Sequence, residues 1–145
     1  MENNAILSAL SARKSVRVFT PDPVTPDERA AILNAAKAAK LTEINAECQK
    51  AVAALAADYP DSEVQSWPQQ VKEATALSAD PQADAPLLTA IATARGLPVA
   101  ELASRVLGKM NAYAAASGAL IGRRQAAEDL IDVAATPEDV AGIAW

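Results

Sequence analysis

Histidine is absent from this sequence of 145 residues, and cysteine occurs once. Without histidine the chain has no His-dependent triad, no His-ligated zinc or haem, and not the commonest general acid and base. The single cysteine, Cys48, excludes an internal disulfide. Only five residues are Phe, Tyr or Trp, and the other strand-favouring residues, Val, Ile and Thr, are sparse and scattered. Long apolar runs are missing too: none approaches the ~20 residues that a membrane span requires. The opening MENNAILSALSARK lacks the basic start and apolar middle of a signal peptide. A cytoplasmic location is the expectation. Basic charge is also short. A net charge of −5 argues against nonspecific nucleic-acid binding, which needs basic surface to displace counterions.

What the chain does have is alanine, at 36 of its positions. Alanine is the best helix former because it loses no side-chain entropy. The expected fold is therefore all-α: a small helical bundle packed through small side chains, with one long helix and one short extended segment. The length suits one domain, or a compact domain plus an appendage. Charge is spread unevenly. Residues 1–40 carry six Lys/Arg against four Asp/Glu, and residues 41–145 carry seven against fourteen.

The local signals divide the chain further. A short helix is predicted over Ala5 to Ala12 with Asn4 as N-cap, followed by an extended piece, Ser15-Val16-Arg17-Val18-Phe19. Thr25-Pro26-Asp27-Glu28 opens a helix: Thr25 caps, Pro26 takes the first helical position, and Glu28 closes a capping box. That helix runs to about Lys40 and can continue into a stripe of Leu41, Ile44, Cys48, Val52, Leu55 and Tyr59, ended by Pro60. Cys48 on this stripe reads as a small buried hydrophobe. A third helix carries Val64, Trp67, Val71 and Ala74, with Pro68 kinking it or lying near its first turn. Trp67 reads as a core anchor. Ser78 to Pro86 is a polar linker, and a short helix with Leu87, Leu88 and Ile91 stops at Gly96, a left-handed C-cap.

The longest element is predicted from about Pro98 to Ala134. Val106, Met110, Tyr113, Ser117, Leu120, Arg124, Ala127, Ile131 and Ala134 form an unbroken stripe of fours and threes, the pattern of a helix seam. Straight, such a helix is about 55 Å long, more than a monomer of this size needs. Val106, Met110, Tyr113, Leu120, Arg124 and Ile131 are therefore the candidate interaction residues, and self-association through the seam is expected. Arg124 lies on the stripe, where a charge is costly unless paired. Its stem can pack while its guanidinium reaches solvent or an acidic neighbour, or it can form an interhelical salt bridge. Gly108, Gly118 and Gly122 disfavour helix locally and are expected where backbones approach closely. Glu128, Asp129 and Asp132 read as a solvated acidic face, not a metal site. Thr136-Pro137-Glu138-Asp139 repeats the cap chemistry of Thr25 before Trp145.

Two resemblances meet near residue 41. The run Arg13-Lys14-Ser15-Val16-Arg17-Val18-Phe19, then Pro23-Val24 and the Thr25-capped helix, resembles the opening of a flavin-dependent nitroreductase. In that family the run grips the phosphate and ribityl chain of FMN, which implies Arg13, Lys14, Ser15 and Arg17 as contacts. Guanidinium and hydroxyl groups suit phosphate oxygens. The family's Ala-Pro-Ser-x-x-Asn-type segment and central sheet have no counterpart here, so residues 1–40 read as an N-terminal arm with a solvated basic turn.

From about Glu43 to Ile143 the chain resembles a helical segment of phage tail-fibre or tail-assembly proteins. The matching stretches include Ile44-Asn45-Ala46-Glu47-Cys48, Tyr59-Pro60-Asp61-Ser62-Glu63, Pro86 through Gly96, and Leu120-Ile121-Gly122-Arg123-Arg124-Gln125. This resemblance implies a body over 41–145 and a composite, chimeric or designed chain. The leading reading is a non-enzymatic assembly protein whose partner is itself or a phage-tail component, without nucleic acid or membrane. An acidic inhibitor or adaptor of a host defence protein and a flavin-binding remnant are the other two classes.

Overall fold

Two Thr-Pro sequences start helices here, and both do so through the same reciprocal hydrogen bonds. The computed structural model describes residues 23–145. At the first start the Glu28 N–H donates to Thr25 Oγ1 at 3.2 Å, while the Thr25 N–H donates to Glu28 Oε2 at 2.8 Å. This capping box satisfies donors that the first helical turn leaves free. It opens α1 (Pro26–Ala54). The remaining elements are α2 (Asp61–Ala79), α3 (Pro86–Arg95), α4 (Val99–Val133) and α5 (Pro137–Ala141). The fold is all-α, a small bundle with one long helix. The expected extended segment 15–19 and the helix over Ala5–Ala12 lie outside the described residues.

α1 passes through residue 41 without a break, so the Thr25-capped helix and the Ile44–Cys48 stripe are one element. It ends earlier than the sequence pattern suggests. From Ala54 to Tyr59 the bonds tighten to i→i−3, with Ala57 N–H donating to the Ala54 carbonyl and Tyr59 N–H to that of Ala56. A residue before proline is pushed out of the α region, so α-geometry is lost ahead of Pro60. Leu55 and Tyr59 are consequently not on the helix, although both remain half-buried. α2 absorbs Pro68 in its interior and continues through Ser78 and Ala79, which shortens the linker to Asp80–Ala85. α3 stops at Gly96, whose φ of 64° is left-handed. Leu97 N–H then reaches back to the Ala92 carbonyl at 2.9 Å, a Schellman closure that glycine makes accessible.

α4 is the wall against which α1, α2 and α3 pack, and α5 packs on α1. α1 runs antiparallel to it: Lys37 meets Asp132, Asn45 meets Arg124, and Cys48 meets Leu120. α2 is antiparallel to it as well, with Trp67 beside Tyr113 and Ala74 in the cluster of Leu102 and Ala103. Thus α1 and α2 form a bent pair that covers successive lengths of one seam. Two separate cores result. Ala74, Ala85, Leu88, Ala92, Leu102 and Ala103 fill the first, where α2, α3 and the start of α4 meet. Ile44, Ala127 and Ile131 fill the second, with Leu41, Ile143 and Trp145 packed against them.

One buried charge holds the first core together. Glu73 is only 3% exposed. Its Oε2 accepts the Leu88 N–H at 2.8 Å and its Oε1 accepts Gln69 Nε2 at 2.7 Å. The reason lies in α3, whose N-cap Ala85 has no side chain able to cap. A carboxylate from α2 takes that role and also faces the positive end of the α3 dipole. Burial pushes the Glu73 carboxyl up, but donation from Leu88, Gln69 and the Leu87 backbone, with the Lys72 charge, holds it below the ordinary value of 4.5. Glu28 is lowered chiefly by the Thr25 backbone bond, and Asp139 chiefly by the Thr136 side chain.

These contacts yield two expectations. Glu73→Ala leaves the buried Leu88 N–H without its acceptor, which costs about 1–3 kcal/mol and lowers the denaturant midpoint. A carboxyl whose folded pKa is depressed contributes fully above its unfolded value and loses that contribution as pH falls through the folded one. Stability should therefore drop on acidification below about pH 4.5, and Glu73→Gln should flatten that drop. An unchanged acid profile in Glu73→Gln would remove Glu73 from this account. Thr136→Ala should cost about 1 kcal/mol, because α5 is five residues long and seats the buried Val140. Thr25→Ala should cost less in the same denaturation measurement, since residues 25–32 are exposed and can fray alone.

Candidate functional site

The seam residues of α4 are not equivalent once folded. Ile131 is 3% exposed and packs on Ile44, so its side chain is taken up inside the chain. Val106, Met110, Leu120 and Arg124 are half-buried, and Tyr113 is exposed. The seam is thus sealed at both ends and thinly covered between them. A Cβ added at Gly108, Gly118 or Gly122 would meet nothing within 4 Å among the described residues. The close backbone approach expected at these glycines does not occur among the described residues.

At the thin stretch three aromatic rings converge, a grouping that sequence spacing did not indicate because they come from three segments. Tyr59 and Trp67 meet edge to face with centroids 5.2 Å apart, and Trp67 meets Tyr113 likewise at 6.0 Å. Such geometry sets the positive ring edge against the negative face. Lys109 lies 5.1 Å from the Tyr59 centroid and donates to its hydroxyl at 3.2 Å. Trp67 is half-buried between its two neighbours, not sealed in a core, and Tyr113 is 39% exposed.

Between α1 and α4 a groove of about 340 Å³ is lined by Asn45, Cys48, Gln49, Val52, Ile121 and Arg124. Cys48 is buried, as its place on the apolar stripe suggests, and its thiol points at the Leu120 carbonyl 3.9 Å away. Arg124 resolves its two sequence alternatives by combining them. Its guanidinium forms an ion pair at 2.9 Å with Glu128 of its own helix and donates at 3.0 Å to Asn45 Oδ1 across the interface. The cross-helix partner is an amide, so the contact fixes register without a second buried charge. Glu128, Asp129 and Asp132 form no cluster that could hold a metal, and no group of three or more suitable ligands occurs among the described residues. Arg13, Lys14, Ser15 and Arg17, the contacts implied for FMN, lie outside the described residues.

A family model described as the HI1402 helical domain matches residues 108–145. The matched piece runs from within α4 through α5 to Trp145, and it contributes Ala127 and Ile131 to the second core, whereas Ile44 comes from outside it. No curated protein matches the chain, and no solved structure matches it either. No helix among the described residues is long and apolar enough to cross a membrane.

The Arg124–Asn45 bond can be measured on its own. A double-mutant cycle of Arg124→Met and Asn45→Ala should give a coupling of about 0.5–1.5 kcal/mol, the range for a hydrogen bond to a partly solvated group. Zero coupling in denaturant titrations would show that the contact does not fix the helix register.

Proposed function

We propose that this chain is a non-enzymatic helical assembly protein of phage-tail type, acting through contacts along the middle of α4. The observation that carries the reading is the half-covered aromatic group Tyr59–Trp67–Tyr113 on a helix whose seam is sealed only at its ends. Rigid aromatic side chains that keep one face accessible are the residues that dominate protein interfaces. The exposed glycines beside them leave room for another helix to approach closely. The resemblance of residues 43–143 to tail-fibre and tail-assembly proteins supplies the context, with a second copy or a tail component as partner.

The acidic balance of residues 41–145, fourteen acidic residues against seven basic, supports a second reading: an adaptor or inhibitor steered onto a basic host protein. Salt separates the two. Association through an apolar helix face survives raised ionic strength, whereas steering to a basic partner weakens with it.

For the first reading, sedimentation of the wild type should show concentration-dependent association or a complex with tail components. Tyr113→Asp, at a site 39% exposed, should leave helicity unchanged and weaken association about thirtyfold, the effect of losing one interface hot spot. A protein that stays monomeric at high concentration and binds no tail component would refute the assembly reading.

A further inference from the structure

We infer that α3 with its flanking segments is a separable flap, clasped to α2 by Glu73 and released when that carboxylate takes up a proton. Release opens the first core while the second stays closed, and it does not depend on the assembly reading.

A helix of ten residues is too short to persist alone in water, so α3 depends on what it docks against. Its buried side chains are Leu88 and Ala92. Among the described residues α3 is hydrogen-bonded to another helix only through Glu73, which accepts the Leu88 N–H at 2.8 Å. No ion pair among those residues involves α3. The segments on either side bond locally. Before α3, Asp80 accepts the Gln82 N–H through its side chain and the Ala83 N–H through its carbonyl, both at 2.9 Å. After it, the left-handed Gly96 lets Leu97 N–H return to the Ala92 carbonyl. The flap can therefore swing with its own turns intact while α2 and α4 keep theirs.

The charges around Glu73 leave the switching to Glu73 itself. From α2, Lys72 favours its ionised form, and its other partner there, Gln69, is uncharged. α3 faces it with backbone N–H groups, while Arg95, the one ionisable side chain of α3, is exposed in the last turn. Asp80 and Asp84 of the linker are exposed as well. α4 brings Leu102 and Ala103 to this core, and its nearby Glu101 and Arg105 are exposed and pair with each other. Proton uptake by Glu73 removes the charge at the positive end of α3 and leaves a neutral, weaker acceptor for Leu88. Because the folded carboxyl lies below 4.5, the clasp is whole above about that pH and is lost as pH falls through the folded value.

Hydrogen exchange on the full-length protein, read as protection relative to an unstructured peptide at each pH, tests the flap. At pH 7, Glu73→Gln should lower the protection of residues 88–97 about tenfold, the loss of charge assistance and of the dipole attraction together. On titration to pH 3 the wild type should fall towards that level, whereas this segment of Glu73→Gln should hold steady. Residues 44–50 and 120–131, around the second core, should keep their protection in both proteins. Residues 137–142 should weaken equally in both, since Asp139 caps α5. Acid loss at 88–97 that persists in Glu73→Gln would overturn the proposal, as would a wild type that keeps its protection there at pH 3. Loss at 44–50 and 120–131 in step with 88–97 would overturn it too, by making the opening global. That last comparison is made within the wild type, so it decides even if Glu73→Gln does not fold.

Discussion

Alanine's single methyl group limits the apolar area that any pair of helices in this chain can remove from water, and α4 is how the fold works within that limit. Burying a large aliphatic side chain contributes about 1.5–3 kcal/mol, whereas a methyl contributes less than one. Among the described residues only Ile44, Leu88 and Val140 are large and fully buried. No two short helices could form a core from such material alone. A helix of 35 residues offers one continuous surface on which α1, α2 and α3 each add a small increment, and α5 adds its own on α1.

Because the apolar increments are small, polar contacts decide where helices begin and how they align. Thr25 and Thr136 start helices locally, and Glu73 starts α3 from a neighbouring helix. Arg124 and Asn45 set the α1–α4 register, and Lys37 Nζ donates to the Asp132 carbonyl at 2.8 Å farther along. Glu73 is the most exacting of these. A carboxylate at 3% exposure is stable only because the Leu88 N–H and the Gln69 amide both donate to it.

The elements legible in the sequence were those fixed by neighbours close in the chain. The Thr-Pro-x-Glu and Thr-Pro-x-Asp boxes, the Gly96 stop and the span of α4 depend on residues within one or two turns, and the sequence displays them. Glu73 was not legible, because its role depends on α3 lacking a cap and on the linker folding α3 back onto α2. The convergence of Tyr59, Trp67 and Tyr113 is equally non-local. The glycines of α4 misled for a related reason: spacing says that a helix can approach there, and the fold alone says whether one does. The end of α1 at Ala54 lay between these cases, since Pro60 was visible but the tightening ahead of it was not.

The two cores also explain why the middle of α4 is where the chain is open. Near Leu102 the helix is held by α2 and α3, and near Ile131 by α1 and the residues after α5. Between them the bend from Leu55 to Pro60 carries one partner away before the next arrives. Gly108, Gly118 and Gly122 lie along this stretch, each disfavouring helix by roughly 1 kcal/mol relative to alanine, and none gains a close contact among the described residues in return. Local opening free energy follows burial and backbone preference, so it is lower here than at the two sealed ends of α4. A ligand that binds only the folded form stabilises it by mass action, by an amount set by its concentration and affinity. The half-exposed rings and the groove beside Arg124 lie on this stretch of α4, so a helix bound here would cover the part of α4 that α1, α2 and α3 leave open.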